Sequence, residues 1–212
     1  MSMSMIEAAT ALRPFLRSAS AGIDEARRLS PAVLDALHGL DAFHLQLTPE
    51  FGGQAADPMT LMRVIEELSR GDGSSGWCAM VGSESSACVN AYLAPEIVHA
   101  MTSGRPRPLH ALSAVGMGRA VEVPGGYVVT GRWRFASACR HAQWLAGLAV
   151  VHDGDRPRLR ENGAPQLRVV YAPASDAKIV DTWTAEGLRG TASDDFEFNE
   201  VFVPDDCAAD LF

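Results

Sequence analysis

Apolar side chains recur every three or four residues through the first half of the chain and every second residue through much of the second. The first spacing predicts helices, because 3.6 residues complete a turn; the second predicts strands, whose side chains alternate between faces. In the helical half, Met59, Met62, Ile65 and Leu68 are read as one apolar face, with Glu66, Glu67 and Arg70 on others. In the second half, Tyr127, Val129, Gly131, Trp133 and Phe135 fall on one side of a strand, and Thr130, Arg132 and Arg134 on the other. Residues 144–151 are nearly all apolar, as suits a strand buried on both faces. Residues 167–171, 177–183 and 196–203 add further short strands. Helices first and strands afterwards predict an α+β fold: an N-terminal helical domain over residues 1–104, then a small β-barrel-like middle domain over residues 105–212.

Punctuation residues sharpen the helical half. Ser30-Pro31 supplies an N-cap and a first-turn proline, with Gly39 near the end of that helix, and Asp57-Pro58 repeats the device. Gly71-Asp72-Gly73 breaks the next helix, and Ser74 is placed to cap the one that runs to about Leu93. Ala94-Pro95-Glu96 opens a short last helix, stopped near Gly104. Gly71-Asp72-Gly73-Ser74-Ser75-Gly76 also spells GxGxxG. A dinucleotide site needs a strand before that loop. Here a helix precedes it, so the glycines are read as an interhelical turn.

Composition narrows the function classes. The chain has 212 residues, 47% hydrophobic and 21% charged, enough to build a core. The net charge of −8, with no basic patch, argues against a nucleic-acid surface. Arg156, Arg158 and Arg160, flanked by Asp153, Asp155 and Glu161, read as a solvated hairpin tip. Cys78, Cys88, Cys139 and Cys207 lack metal-site spacing, and the scattered histidines form no HExxH pair, so no metal is expected. No GxSxG elbow occurs. No run of 18 apolar residues is present, and the N-terminus does not read as a secretory signal; the expectation is a cytoplasmic protein with free thiols.

The most informative stretch is residues 131–144, GRWRFASACRHAQW. Period two puts Trp133, Phe135 and Ser137 on one face. Two readings fit: a core strand with a polar end, or a platform for a flat heterocycle such as a flavin, which needs apolar walls and a few hydrogen-bonding groups at its edge.

Three stretches resemble the acyl-CoA dehydrogenase superfamily. Residues 45–53, LQLTPEFGG, look like the family's "vPeeyGG" turn between N-terminal helices. Residues 131–138 look like its "G-x-K-x-W-I-T-N" strand, with Phe135 at the Trp position and Ser137 at the Thr position. Residues 187–193, GLRGTAS, followed by 196–204, look like "G-x-R-x-S-x-T…F-x-x-V-x-V-P". Asp72 to Trp77 and Trp133 to Ser137 further resemble the oxygenase component of two-component flavin monooxygenases, although Ala138 and Arg140 stand where similar sequences carry glycine and an acidic residue.

That resemblance implies FMN or FAD, supplied reduced by a separate reductase, and a small-molecule substrate. It implies Ser137 at flavin N5, where a hydroxyl stabilises the reduced form. It implies Phe135 and Trp133 as walls of the ring and Ser113 at the pyrimidine edge. Trp77 falls on the substrate side, and Thr191 and Ser193 cap the far end of the pocket, though turn chemistry explains those two equally well. The family's third part resembles a four-helix bundle that carries the catalytic base; it is expected to be absent here, so no base is assigned. The functional expectation is a flavin-dependent oxidoreductase leaning to reduced-flavin monooxygenase. The alternatives are α,β-dehydrogenation of an acyl thioester, and a non-catalytic subunit that binds a full-length relative. An uncovered apolar face predicts a homo-oligomer or a partner chain carrying the bundle.

Overall fold

The computed structural model describes residues 4–210. Five helices come first: α1 (Met5–Ala26), α2 (Pro31–Gly39), α3 (Pro58–Gly71), α4 (Gly73–Tyr92) and α5 (Pro95–Thr102). Eight strands follow: β1 (His110–Val123), β2 (Gly126–Ala136), β3 (Trp144–Asp153), β4 (Arg156–Pro157), β5 (Leu167–Pro173), β6 (Lys178–Val180), β7 (Asp194–Pro204) and β8 (Ala208–Asp210).

The helix starts carry the caps that their sequences encode. Ser4 and Glu7 form a reciprocal capping box on α1. Ser30 accepts from the Val33 amide at the start of α2, and Asp57 accepts from Met59 and Thr60 at the start of α3. The cap of α4 is Asp72, which accepts from the Ser75 amide at 2.7 Å, not Ser74. The turn between α3 and α4 is tight because it needs glycine for packing. A Cβ on Gly76 would lie 2.0 Å from Ser69 Oγ, and one on Gly71 would lie 2.8 Å from Leu16 Cβ on α1. The GxGxxG string is thus a helix–helix contact.

The apolar face of α3 differs from the expectation. Val64 and Leu68 are buried, Leu61 and Ile65 pack against the core, and Met59 and Met62 are exposed. A strict three-residue series slips by about 60° per step on a helix of 3.6 residues per turn. Met59 and Leu68 therefore lie on opposite sides, while positions 61, 64, 65 and 68 keep one stripe.

The strands form one mixed sheet in the order β6-β7-β2-β1-β3-β5-β8, with β4 paired to β3. The β1–β3 pair is parallel and the other pairs are antiparallel. Its core is built around Trp133. The indole is fully buried, stacks on Phe196 with centroids 4.9 Å apart, and donates its N–H to the Leu148 carbonyl at 2.8 Å. Glycines make room for it: a Cβ on Gly118 or Gly147 would sit 2.4 Å from the ring. Trp133 is therefore a core residue. The role expected of it, as a wall of a bound ring, has no exposed surface of the indole to act through in this structure.

Helices and sheet meet where α4 packs on β1 and on the loop before β7. Buried Arg107, in the segment that leads from α5 to β1, fixes that segment to the helical half, bonding Asp41 and the carbonyls of Phe51, Gly52 and Thr102. The arginine-rich segment is the expected hairpin tip, with Arg158 paired to Asp153 and Glu122. Among the described residues, no helix is long and apolar enough to cross a membrane, and no cluster of side chains could hold a metal ion. The four cysteines are free thiols.

Candidate functional site

Alternation along β2 holds from Tyr127 to Trp133 and then breaks. Phe135 adopts φ +58°, and the register with β7 shifts between Trp133 and Ala136. This bulge turns Phe135 outward, 48% exposed, and Ala136 inward. The three residues expected on one face are thereby split: Trp133 enters the core, while Phe135 and Ser137 reach the junction between sheet and helices. The Arg134 guanidinium lies 4.9 Å from the centroid of the Phe135 ring, and Trp183 meets that ring in a T-shaped arrangement with centroids 6.2 Å apart.

After Ala136 the chain makes a tight turn that docks on the segment before β7. Ala138 is left-handed at φ +64°, where similar sequences carry glycine, and its amide donates to the Thr191 carbonyl at 2.8 Å. The Cys139 thiol donates to the Ala192 carbonyl; burial, with Asp194 nearby, pushes that thiol up to about 12. Arg140 reaches Asp194 at 2.5 Å. Asp194 also accepts from the Thr182 and Trp183 amides at 2.8 and 2.9 Å. Burial alone would raise the Asp194 carboxyl. Arg140 and the two amides outweigh that and hold it below the ordinary carboxylate range.

Four of the predicted residues form one hydrogen-bonded chain. The Trp77 indole N–H donates to Ser137 Oγ at 2.9 Å. Ser137 Oγ lies 2.7 Å from Ser193 Oγ, which lies 2.7 Å from Thr191 Oγ1. Thr191 Oγ1 donates to the Leu188 carbonyl at 2.9 Å. Trp77 is 40% exposed and Ser137 9%, whereas Ser193 and Thr191 are buried beneath them. Thr191 and Ser193, expected at the far end of a pocket, lie buried in this structure and support Ser137 from below. Gly190 lets this loop lie against the helices, since a Cβ there would meet Ile23 at 2.0 Å and Ser74 at 3.0 Å.

Ser113 stands apart from this chain. It donates to the Arg134 carbonyl at 2.5 Å and accepts from the Val115 amide at 3.1 Å, closing the irregularity where β1 changes register against β3. The exposed apolar side chains Trp77, Val115, Phe135 and Leu188 come from the same elements and loops. A cleft of about 600 Å3 lined by Thr130, Lys178 and Phe198 lies elsewhere, along the β2–β7–β6 edge.

Sequence reasoning did not single out Asp194, Trp183 or Leu188. Asp194 follows directly on the residue-187–193 motif, and an acidic pair at the start of an apolar strand was its available signal. Leu188 acts through its carbonyl, which no side-chain pattern reveals.

A helical layer joined to a sheet of this order, with the hydroxyl chain at their junction, defines a class that comparison identifies. Residues 7–96 match the family model described as acyl-CoA dehydrogenase, N-terminal domain. Residues 7–96 thus carry the acyl-CoA dehydrogenase N-terminal domain, and the relatives that the chain matches include oxygenase components and monooxygenases. It is 32% identical over 189 residues to the FADH(2)-dependent resorcinol hydroxylase, oxygenase component, of Rhizobium sp. (strain MTP-10005), covering 89% of this chain and 44% of that protein. It is 31% identical over 206 residues to the flavin-dependent monooxygenase, oxygenase subunit HsaA, of Mycobacterium tuberculosis (strain ATCC 25618 / H37Rv), covering 95% and 49%. The crystal structure of the HsaA monooxygenase from M. tuberculosis superposes with a TM-score of 0.86 at 28% identity, covering 98% of this chain and 52% of that one. The chain thus spans about half the length of the curated relatives it matches.

Proposed function

We propose that this chain forms the flavin-holding part of a reduced-flavin-dependent monooxygenase that hydroxylates a small organic substrate. The observation that carries this reading is Ser137, a hydroxyl only 9% exposed and fixed by Trp77 and Ser193 beside outward-facing Phe135. A flat ring with a polar edge fits that combination of apolar area and one oriented oxygen. The chemistry of the relatives supports the same class: one is named FADH(2)-dependent, and another, 31% identical over 181 residues, is the indole-3-acetate monooxygenase of Pseudomonas putida.

Bound reduced flavin would supply the electrons that activate dioxygen for transfer of one oxygen atom to the substrate. The chain's own residues hold and orient. Ser137 meets the N5 edge, Phe135 offers an apolar face, and the Phe135 bulge sets the spacing between them. Ser113 remains the residue proposed for the pyrimidine edge; its hydroxyl proton is engaged by the Arg134 carbonyl, so it would act as an acceptor. The flavin is FMN or FAD, reduced by a separate reductase. The exposed apolar side chains around Ser137 are proposed to be covered by a second copy of the chain or by another polypeptide, which would exclude water from the ring.

Equilibrium binding of FMN and FAD, each oxidised and anaerobically reduced, tests this directly. Binding at micromolar concentrations that weakens about tenfold in Ser137→Ala, the loss of one good hydrogen bond, supports the reading. A folded chain that binds neither flavin in either state sinks it.

A further inference from the structure

We infer that Ser193 and Thr191 are positioning residues that fix the direction of the Ser137 hydroxyl, so that Ser137 accepts from a flavin and does not donate to it. This deepens the flavin reading above and rests on it. The argument uses the two ends of the hydrogen-bonded chain. An indole N–H can only donate, so Trp77 donates to Ser137 Oγ at 2.9 Å. A carbonyl can only accept, so Thr191 Oγ1 places its proton on Leu188 O at 2.9 Å. With its single proton committed there, Thr191 can only accept from Ser193 at 2.7 Å. Ser193 in turn can only accept from Ser137 at 2.7 Å.

Every proton in the chain therefore points away from the surface. Ser137 has given its proton inward and has taken one from Trp77, leaving one lone pair. Ser193 and Thr191 are buried, so solvent does not supply them with other partners. Flavin N5 is an acceptor when the ring is oxidised and carries N–H when it is reduced. A hydroxyl locked as an acceptor pairs with the reduced form and faces the oxidised form lone pair to lone pair. The chain would select the redox state of its cofactor through two residues that do not touch it.

The test compares wild type, Ser193→Ala, Thr191→Val and Thr191→Ser by anaerobic titration of the full chain with reduced and oxidised FMN and FAD. Removing Ser193, or leaving it without an acceptor in Thr191→Val, frees the Ser137 proton to turn outward. The ratio of reduced to oxidised affinity is expected to fall about tenfold in both. That equals a drop of about 30 mV in the two-electron potential of the bound flavin. Thr191→Ser keeps the relay and should keep the wild-type ratio, which separates this role from a structural one. Two variants of different shape guard against a folding defect in either. An unchanged ratio in Ser193→Ala and Thr191→Val, with flavin still bound through Ser137, overturns this inference and leaves the flavin reading standing. Absence of binding to wild type in either redox state overturns both.

Discussion

Asp194 joins three segments that are far apart in sequence. It pairs with Arg140 after β2, accepts the Thr182 and Trp183 amides after β6, and opens β7 beside Ser193. A buried carboxylate bonded this fully is costly to break from one side, because two amides would be left without an acceptor and Arg140 would keep only Asp181, at 3.6 Å. Asp194→Ala should lower unfolding stability by about 3 kcal/mol, read as a shifted urea midpoint. Asp194→Asn keeps one acceptor for the amides and should cost less. The sign with pH follows from its depressed folded pKa. The carboxylate contributes stability above its unfolded value near 4 and loses it as pH falls through the lower folded value. The same residue fixes the loop holding Ser193 and Thr191, so its loss should also weaken flavin binding.

At the scale of elements, most helix starts were legible, and facing was legible only in part. Ser30-Pro31, Asp57-Pro58 and Pro95 mark helix starts in the sequence, and the structure begins helices there. Strand positions from Tyr127 to Trp133 follow their alternation. Two misreadings share a cause, the extension of a local period beyond where it holds. On α3 the three-residue series drifts off the core stripe, which leaves Met62 65% exposed and Leu68 buried. On β2 the left-handed Phe135 interrupts period two, and no neighbouring glycine announces it. The motif resemblance located Ser137, Trp77, Thr191 and Ser193, but only the fold makes them one hydrogen-bonded chain. The α3 register has a direct check: Leu68→Ala should destabilise by about 2–4 kcal/mol in thermal or denaturant melts. Met62→Ala should stay within about 0.5 kcal/mol of wild type, as surface changes do. Equal losses would mean that α3 is rotated.

For the molecule as a whole, two buried histidines set an acid limit. Burial, with His44 nearby, lowers His110 to about 3. Burial, with Arg28 and Arg140 nearby, lowers His141 to about 4, and its Nε2 accepts from the Leu29 amide at 3.2 Å. Both are neutral in the folded state at pH values where the unfolded chain, with a histidine pKa near 6.5, takes up protons. Their stabilising contribution is complete above about pH 6.5 and is lost as pH falls towards the folded values. Between pH 6.5 and 5 the slope should approach about 1.4 kcal/mol per pH unit for each histidine. Urea midpoints across that range should therefore fall steadily, and His141→Gln should reduce the slope, leaving the part due to His110 and to His38, which burial also lowers; a slope that ignores this substitution would refute the assignment.

Among the described residues, the β6 margin of the sheet is a strand of three residues that carries Lys178. Short charged margins are poor templates for a further strand from another molecule. Longer β7 and β5 are already paired on both sides. Growth of a ribbon through the β6 margin is thus disfavoured.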